Sequence, residues 1–253
     1  MTPSLSEEAA EQEIAPGQER GERGGCEAEI APSAVGEWGA LAVWTGIDQG
    51  DLSRATPVER RRAVQFGLTG CPWSGINQVH GAVVEVVTRP GQQGGDADAL
   101  VTAERGVALS VLSADCGAVA LASPEGVIGA AHCGWRGLVA GVLPATVRSM
   151  RKLGASGVVG AVGPCIRPCC YEFGEDVAAE VSSAIGHRIS TATASGLPAL
   201  DLPAGIRAVL RDCGVRVAPG VDCCTACSPR HFSRRRDGSA ARQAMAVWVP
   251  ERG

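Results

Sequence analysis

Aromatic side chains are scarce in this 253-residue chain: one Tyr, three Phe and five Trp, 4% in all. With so few rings to stack on bases, and a formal net charge of −4, nucleic acid is excluded as a partner. No apolar run approaches the ~20 residues needed to cross a bilayer, so no membrane span is expected. Met1 to Ala31 lacks a basic n-region and an apolar h-region. It does not read as a secretory signal, and the chain is expected to be cytoplasmic. No glycine-rich strand-to-helix turn of the dinucleotide-binding kind occurs, which argues against a doubly wound nucleotide fold. Internal repeats are absent as well.

Cysteine, by contrast, is plentiful: eleven, an odd number. Without a secretion signal this favours thiols and metal ligands over a disulfide framework. Most of them should pack as small buried hydrophobes. Charge is unevenly spread. The first 30 residues hold eight Glu and two Arg, a net of −6, which leaves +2 for the rest of a chain totalling −4. Residues 1–36 are therefore expected to form a disordered acidic tail, and residues 37–253 a single domain. Arginine clusters at Arg60–Arg62 and Arg234–Arg236 suit either a solvated surface or attraction of a phosphate-bearing small molecule.

Within the body, Leu41 to Thr45 reads as a strand, Val58 to Leu68 as a helix behind Pro57, and Val83 to Val87 as a β-branched strand. Gly91 to Asp98 reads as a Gly/Gln/Asp loop. Three apolar runs follow at Val107–Ser113, Gly117–Ala122 and Gly126–Ala131, the last two joined by the turn residues Ser123-Pro124-Glu125-Gly126. That hairpin puts Cys116 before its first strand and His132 after its second, at one end. Gly134 to Leu153 has helical periodicity, with Pro144 placed to kink it. Another strand is expected over Gly157–Val162, helices over Glu175–Ile185 and from Asp201 to Gly214, and a closing strand over Ala244–Val249. Hairpins mixed with helices predict an α/β (α+β) layered sandwich of mixed β-sheets flanked by helices.

Three short motifs carry the chemistry: Asn77-Gln78-Val79-His80-Gly81, Ser113-Ala114-Asp115-Cys116-Gly117, and His132-Cys133-Gly134-Trp135-Arg136-Gly137. His80, Cys116 and His132 supply two imidazoles and a thiol, which suits zinc with one coordination position left open, as catalytic sites keep it. Each sits at the end of an apolar strand, giving the rigid support a metal site needs. Asp115 is a candidate partner for an imidazole N–H or a proton acceptor. Gln78, two residues before His80, is placed to hydrogen-bond a substrate. Arg136, at the start of a helix, is placed to hold a phosphate, with Arg234 and Arg242 as further candidates. Cys133 should face away from the site. Cys165, Cys169, Cys170, Cys223, Cys224 and Cys227 offer a second metal site or a set of buried thiols. Cys224-x-x-Cys227 has ligand spacing, but no matching second pair is evident.

These motifs, with Gly-Pro-Cys-Ile…Cys-Cys-Tyr-Glu at 163–172 and Cys224-Thr225-Ala226-Cys227 followed by Phe232-Ser233-Arg234-Arg235-Arg236-Asp237-Gly238, resemble the laccase-domain family in order over residues 38–249. Its members have been called multicopper polyphenol oxidases and zinc-dependent purine nucleoside phosphorylases. The resemblance places the family's metal triad on His80, Cys116 and His132 and implies a layered α/β sandwich. It implies zinc-dependent phosphorolysis of adenosine, inosine and methylthioadenosine, with adenosine deamination, so that the partners are a purine nucleoside and phosphate. The chain departs from the family before His80, where Thr45 to Ser53 replaces longer segments, one of them an asparagine loop. Two other readings use the same residues, a cysteine hydrolase with Cys116 as nucleophile and His132 as base and a copper-dependent polyphenol oxidase; the missing loop and the acidic tail suggest a further one, a non-enzymatic partner protein. Oligomeric state is left open by the sequence.

Overall fold

Most long strands of this chain are buried on both faces, so each sheet must be covered on both sides. The computed structural model describes residues 32–251, and residues 1–31 of the expected acidic tail lie outside the described residues. In chain order the strands are β1 (Ser33–Ala34), β2 (Leu41–Trp44), β3 (Trp73–Asn77), β4 (Val84–Val86), β5 (Gln93–Asp96), β6 (Ala99–Thr102) and β7 (Ala108–Ser113). They continue with β8 (Gly117–Ala122), β9 (Ile128–Cys133), β10 (Val159–Val162), β11 (Ser190–Ala192), β12 (Pro198–Leu200), β13 (Arg216–Val217) and β14 (Gln243–Trp248). The helices are α1 (Val58–Thr69), α2 (Trp135–Ala140), α3 (Val142–Lys152), α4 (Glu175–Ile185), α5 (Leu202–Asp212) and the short α6 (Arg234–Asp237).

Two six-stranded mixed sheets result, in the orders β1-β2-β14-β7-β3-β5 and β13-β10-β8-β9-β6-β4, with β11–β12 as a separate pair. Side-chain alternation along the strands sorts the core into three layers. Met245 and Val247 point between the sheets, against Leu100, Ala120, Ile128 and Ala130 of the facing sheet. Ala244, Ala246 and Trp248 point outward, where Val64 and Leu68 of α1 cover them. On the far side, Val119 and Leu121 pack under Leu143, Val147 and Met150 of α3 and Ile206 and Leu210 of α5. The outcome is the layered single-domain α/β sandwich that the patterning predicts.

Four sequence expectations need correction. The segment from Gly134 is two helices, not one kinked at Pro144. It breaks at Gly141, whose φ of 85° is left-handed, and Pro144 then falls in the first turn of α3, where its missing N–H costs nothing. The Gly91–Asp98 segment holds an edge strand, β5, paired parallel with β3. Its Gly and Gln residues have little strand preference, so tertiary pairing decides its conformation. The strand from Val83 to Val87 is trimmed to β4. The expected tail ends short of residue 36, because Ser33–Ala34 pair with β2 as β1 and Val35 is buried in the core. The hairpin of β8 and β9 forms around Ser123–Gly126 as expected, and Asp201 caps α5 by accepting from the Ala204 N–H at 3.0 Å.

Candidate metal centre

Antiparallel register brings the first two donors together. Ala118 pairs with His132 and Gly117 with Cys133, so Cys116 lies beside His132 at the open end of the hairpin. Cys133 points the opposite way into the helix-covered core, as strand alternation requires. His80 reaches the same place from the loop between β3 and β4. The ligand atoms of His80, Cys116 and His132 all lie within 4.8 Å of one another. Cys116 Sγ is 3.9 Å from His80 Nε2, and the two imidazole rings meet edge to face at 4.9 Å between centroids.

One buried carboxylate builds this arrangement. Asp98 is fully buried and immediately precedes β6, which pairs with β9 so that Ala99 faces Ala131. That register sets Asp98 opposite His132. Asp98 Oδ1 accepts His132 Nδ1–H at 2.8 Å and the His80 backbone N–H at 3.0 Å. Its Oδ2 accepts the N–H groups of Gly81 at 2.6 Å and Val79 at 3.2 Å. The loop thus winds around the carboxylate, which holds His80 at a left-handed φ of 60°, a conformation that costs a non-glycine residue roughly 1–2 kcal/mol. Because the Asp98 contact fixes the proton on Nδ1, His132 keeps Nε2 for Cys116 or a metal.

The electrostatics follow from this packing. Burial pushes the Cys116 thiol up, but the charge on His132 and hydrogen bonds from both imidazoles outweigh it and bring it down to about 6. Burial likewise opposes charge on His132, yet the Cys116 thiolate and Asp98 raise it to about 9. Burial raises Asp98, and the His132 hydrogen bond and the loop N–H groups more than offset that, leaving it below the usual carboxylate value. Two nitrogens and a thiolate within reach of one point form a borderline-soft donor set that fits zinc or copper. His80 is exposed, Cys116 half-buried and His132 buried, so the cluster is open to solvent on the His80 side. A Cβ on Gly134 would come within 2.8 Å of Cys116 Sγ, so the main chain there closes the inner wall.

The remaining candidates are placed as follows. Arg136 is exposed in the first turn of α2, stacked 4.6 Å over the Trp135 ring. Gln78 is committed to the protein: its amide exchanges two 2.7 Å hydrogen bonds with the main chain of Leu112. Asp115 does not serve the imidazoles, a role Asp98 fills. Its carboxylate accepts Thr225 Oγ1–H at 2.6 Å and the Arg235 N–H at 2.7 Å, holding the residue before Cys116 at a φ of 94°. Arg234 donates to the Gly238 carbonyl and Arg242 to those of Ser239 and Ala241. The arginine beside the site is their neighbour Arg235, stacked 5.2 Å over Tyr171, and burial next to the Cys116 charge pushes the Tyr171 hydroxyl up. Sequence reasoning missed Asp98, Tyr171 and Arg235. Asp98 carried a signal, as the acidic residue at the mouth of an apolar run that pairs with the histidine strand.

Comparison with known proteins bears on the family and the fold. Residues 42–250 match the family described as multi-copper polyphenol oxidoreductase laccase. A purine nucleoside phosphorylase of Streptomyces coelicolor is 48% identical over 182 residues, covering 69% of this chain and 74% of the relative. One from Streptomyces griseus is 44% identical over 209 residues, covering 79% and 84%. Among solved structures, the Neisseria meningitidis protein NMB0706 superposes with a TM-score of 0.74 at 27% identity, covering 88% of this chain and 99% of the other. YlmD of Geobacillus stearothermophilus gives 0.70 at 29%, covering 84% and 93%.

Proposed function

The chain belongs to the multi-copper polyphenol oxidoreductase laccase family, and within it we propose a zinc-dependent purine nucleoside phosphorylase that also deaminates adenosine. The reading rests on one observation above all: two imidazoles and a thiolate converge within 4.8 Å, with Asp98 fixing the tautomer of one imidazole. The names of the relatives at 44–48% identity support the substrate class, a purine nucleoside and phosphate. Zinc held by His80, Cys116 and His132 would supply Lewis acidity and water activation at neutral pH.

The chain's own residues supply the rest. Arg136, exposed and directed by its stack on Trp135, is the phosphate-holding candidate, since a guanidinium offers a fork of donors to an oxyanion. Arg235 and Tyr171 form a cation–aromatic wall beside Cys116, suited to orient a polar, flat ligand. The ionised Asp98 keeps the proton on His132 Nδ1 and keeps that ring from turning. Gln78 shapes the approach by bracing Leu112. Asp115 supports Cys116 from behind through Thr225 and Arg235.

Incubating the protein with adenosine, with and without phosphate, tests this. Adenine formed only with phosphate marks phosphorolysis and inosine marks deamination; the absence of both products sinks the reading. A second reading, cysteine hydrolase, draws on the Cys116 thiol near 6 beside a His132 near 9, a thiolate–imidazolium pair. Metal content separates them, because a zinc-bound thiolate is not free to attack. Copper-dependent phenol oxidation draws less support, because the thioether that copper sites often recruit would have to come from Met150 or Met245, the described methionines, and both are fully buried in the core.

A further inference from the structure

We propose that Cys169, Cys170, Cys224 and Cys227 hold a structural zinc ion, a second metal site distinct from the His80–Cys116–His132 triad. The four sulfurs lie within 4.8 Å of one another, although 54 residues separate Cys170 from Cys224 in the numbering. Tetrahedral zinc with Zn–S bonds of ~2.3 Å sets its sulfurs about 3.8 Å apart. Cys227 Sγ stands 3.5 Å from Cys169 Sγ and 3.2 Å from Cys170 Sγ. A disulfide engages one partner, whereas here one sulfur is nearly equidistant from two, the spacing of a shared ion.

The backbone explains how neighbouring cysteines both point inward. Residues 168–170 form a turn in which the Cys170 N–H bonds the Arg167 carbonyl at 2.9 Å, and the Tyr171 N–H bonds that of Pro168 at 3.3 Å. In a strand Cys169 and Cys170 would face opposite ways; in a turn they do not. Cys224-x-x-Cys227 supplies the other pair, and the two loops are clamped by parallel bridging of Cys165 with Cys224. Four sulfur donors close the coordination sphere, which marks a structural site rather than a catalytic one.

Its position gives the ion a purpose. Thr225, between the two ligands of the second loop, donates to Asp115, and the Ile166 N–H of the first loop bonds the Asp115 carbonyl at 2.8 Å. The clamp therefore holds the residue that precedes Cys116, and the loop it closes carries Tyr171. On binding, each thiol that becomes a ligand gives its proton to solvent and no electrons move.

The experiment is metal analysis of the purified full chain, its triad-deficient variant His80→Ala/Cys116→Ser, and its clamp-deficient variant Cys169→Ser/Cys227→Ser. The triad-deficient variant is expected to retain about one zinc per chain, and after cobalt exchange to show the charge-transfer and d–d bands of tetrahedral cobalt with four thiolates. The clamp-deficient variant is expected to lose that spectrum. A folded triad-deficient protein without metal, iron in place of zinc, or non-reducing peptide maps joining Cys169 or Cys170 to Cys224 or Cys227 would each overturn the proposal. None of these readouts depends on nucleoside turnover, so the clamp and the proposed activity stand or fall separately.

Discussion

Replacing Asp98 with Asn isolates the one group on which the site geometry converges. The carboxylate accepts four N–H donors, two on each oxygen. An amide of the same shape offers an acceptor at one position and a donor at the other. Whichever way it turns, two N–H groups that point at this buried side chain lose their acceptor. Each costs about 1–3 kcal/mol, so the folded state should weaken by about 2–6 kcal/mol. Without the carboxylate, the His132 ring loses its orientation and some basicity, and outer-shell losses of this kind lower metal affinity about 10–100-fold. Urea unfolding of the metal-free protein measures the first effect, and competition with a chromophoric chelator the second. A folded Asp98→Asn protein with wild-type metal affinity and unfolding free energy would refute the argument that this carboxylate assembles the site.

Gly134→Ala should lower metal affinity at least tenfold while the fold survives, because the new Cβ meets Cys116 Sγ at 2.8 Å and His80 Cδ2 at 3.3 Å; metal titration followed by circular dichroism checks it. Arg136→Ala should raise the phosphate KM about tenfold or more, from loss of a charge-assisted contact worth about 1.5–3 kcal/mol, and leave deamination unchanged. An equal loss in both reactions would remove Arg136 from phosphate binding. In the metal-free protein, the Cys116 contribution to stability is full above its ordinary value of 9.0 and fades as pH falls through about 6. The His132 contribution is full below its ordinary 6.5 and fades as pH rises through about 9. Between about pH 6.5 and 9 the rise of one offsets the fall of the other, so the melting temperature should change little there, whereas in Cys116→Ser, with only the His132 contribution left, it should decline as pH rises from 6.5. Gly141→Ala should cost about 1–2 kcal/mol in chemical denaturation, since only glycine rests easily at that left-handed break between α2 and α3.

The hairpin and its two ligands were legible because an apolar run, a turn and a second apolar run admit one pairing, and that pairing fixes which residues share an end. His80 was legible as a histidine between two glycine-marked strand ends. Asp98 was not, because its role depends on β6 lying beside β9, a long-range neighbour relation that no local pattern encodes. Asp115 was favoured instead through adjacency in sequence to Cys116, and it turned out to face the opposite loop. The second cysteine pair was hidden for a related reason: vicinal cysteines look unlike ligands until a turn is seen to rotate them together. Strand β5 escaped notice because glycine and glutamine carry no strand signal, and the helix break was placed at Pro144 because proline's preference for a first turn matters only once the true start is known.

A single acidic side chain setting both the main-chain torsion of His80 and the ring orientation of His132 has an implication for how such a centre can change. The two histidines cannot drift independently, since relaxing one unseats the other. Retuning this centre toward another ion or another ligand set would demand coordinated replacement at three positions far apart along the chain, so intermediate sequences would pass through a disassembled site.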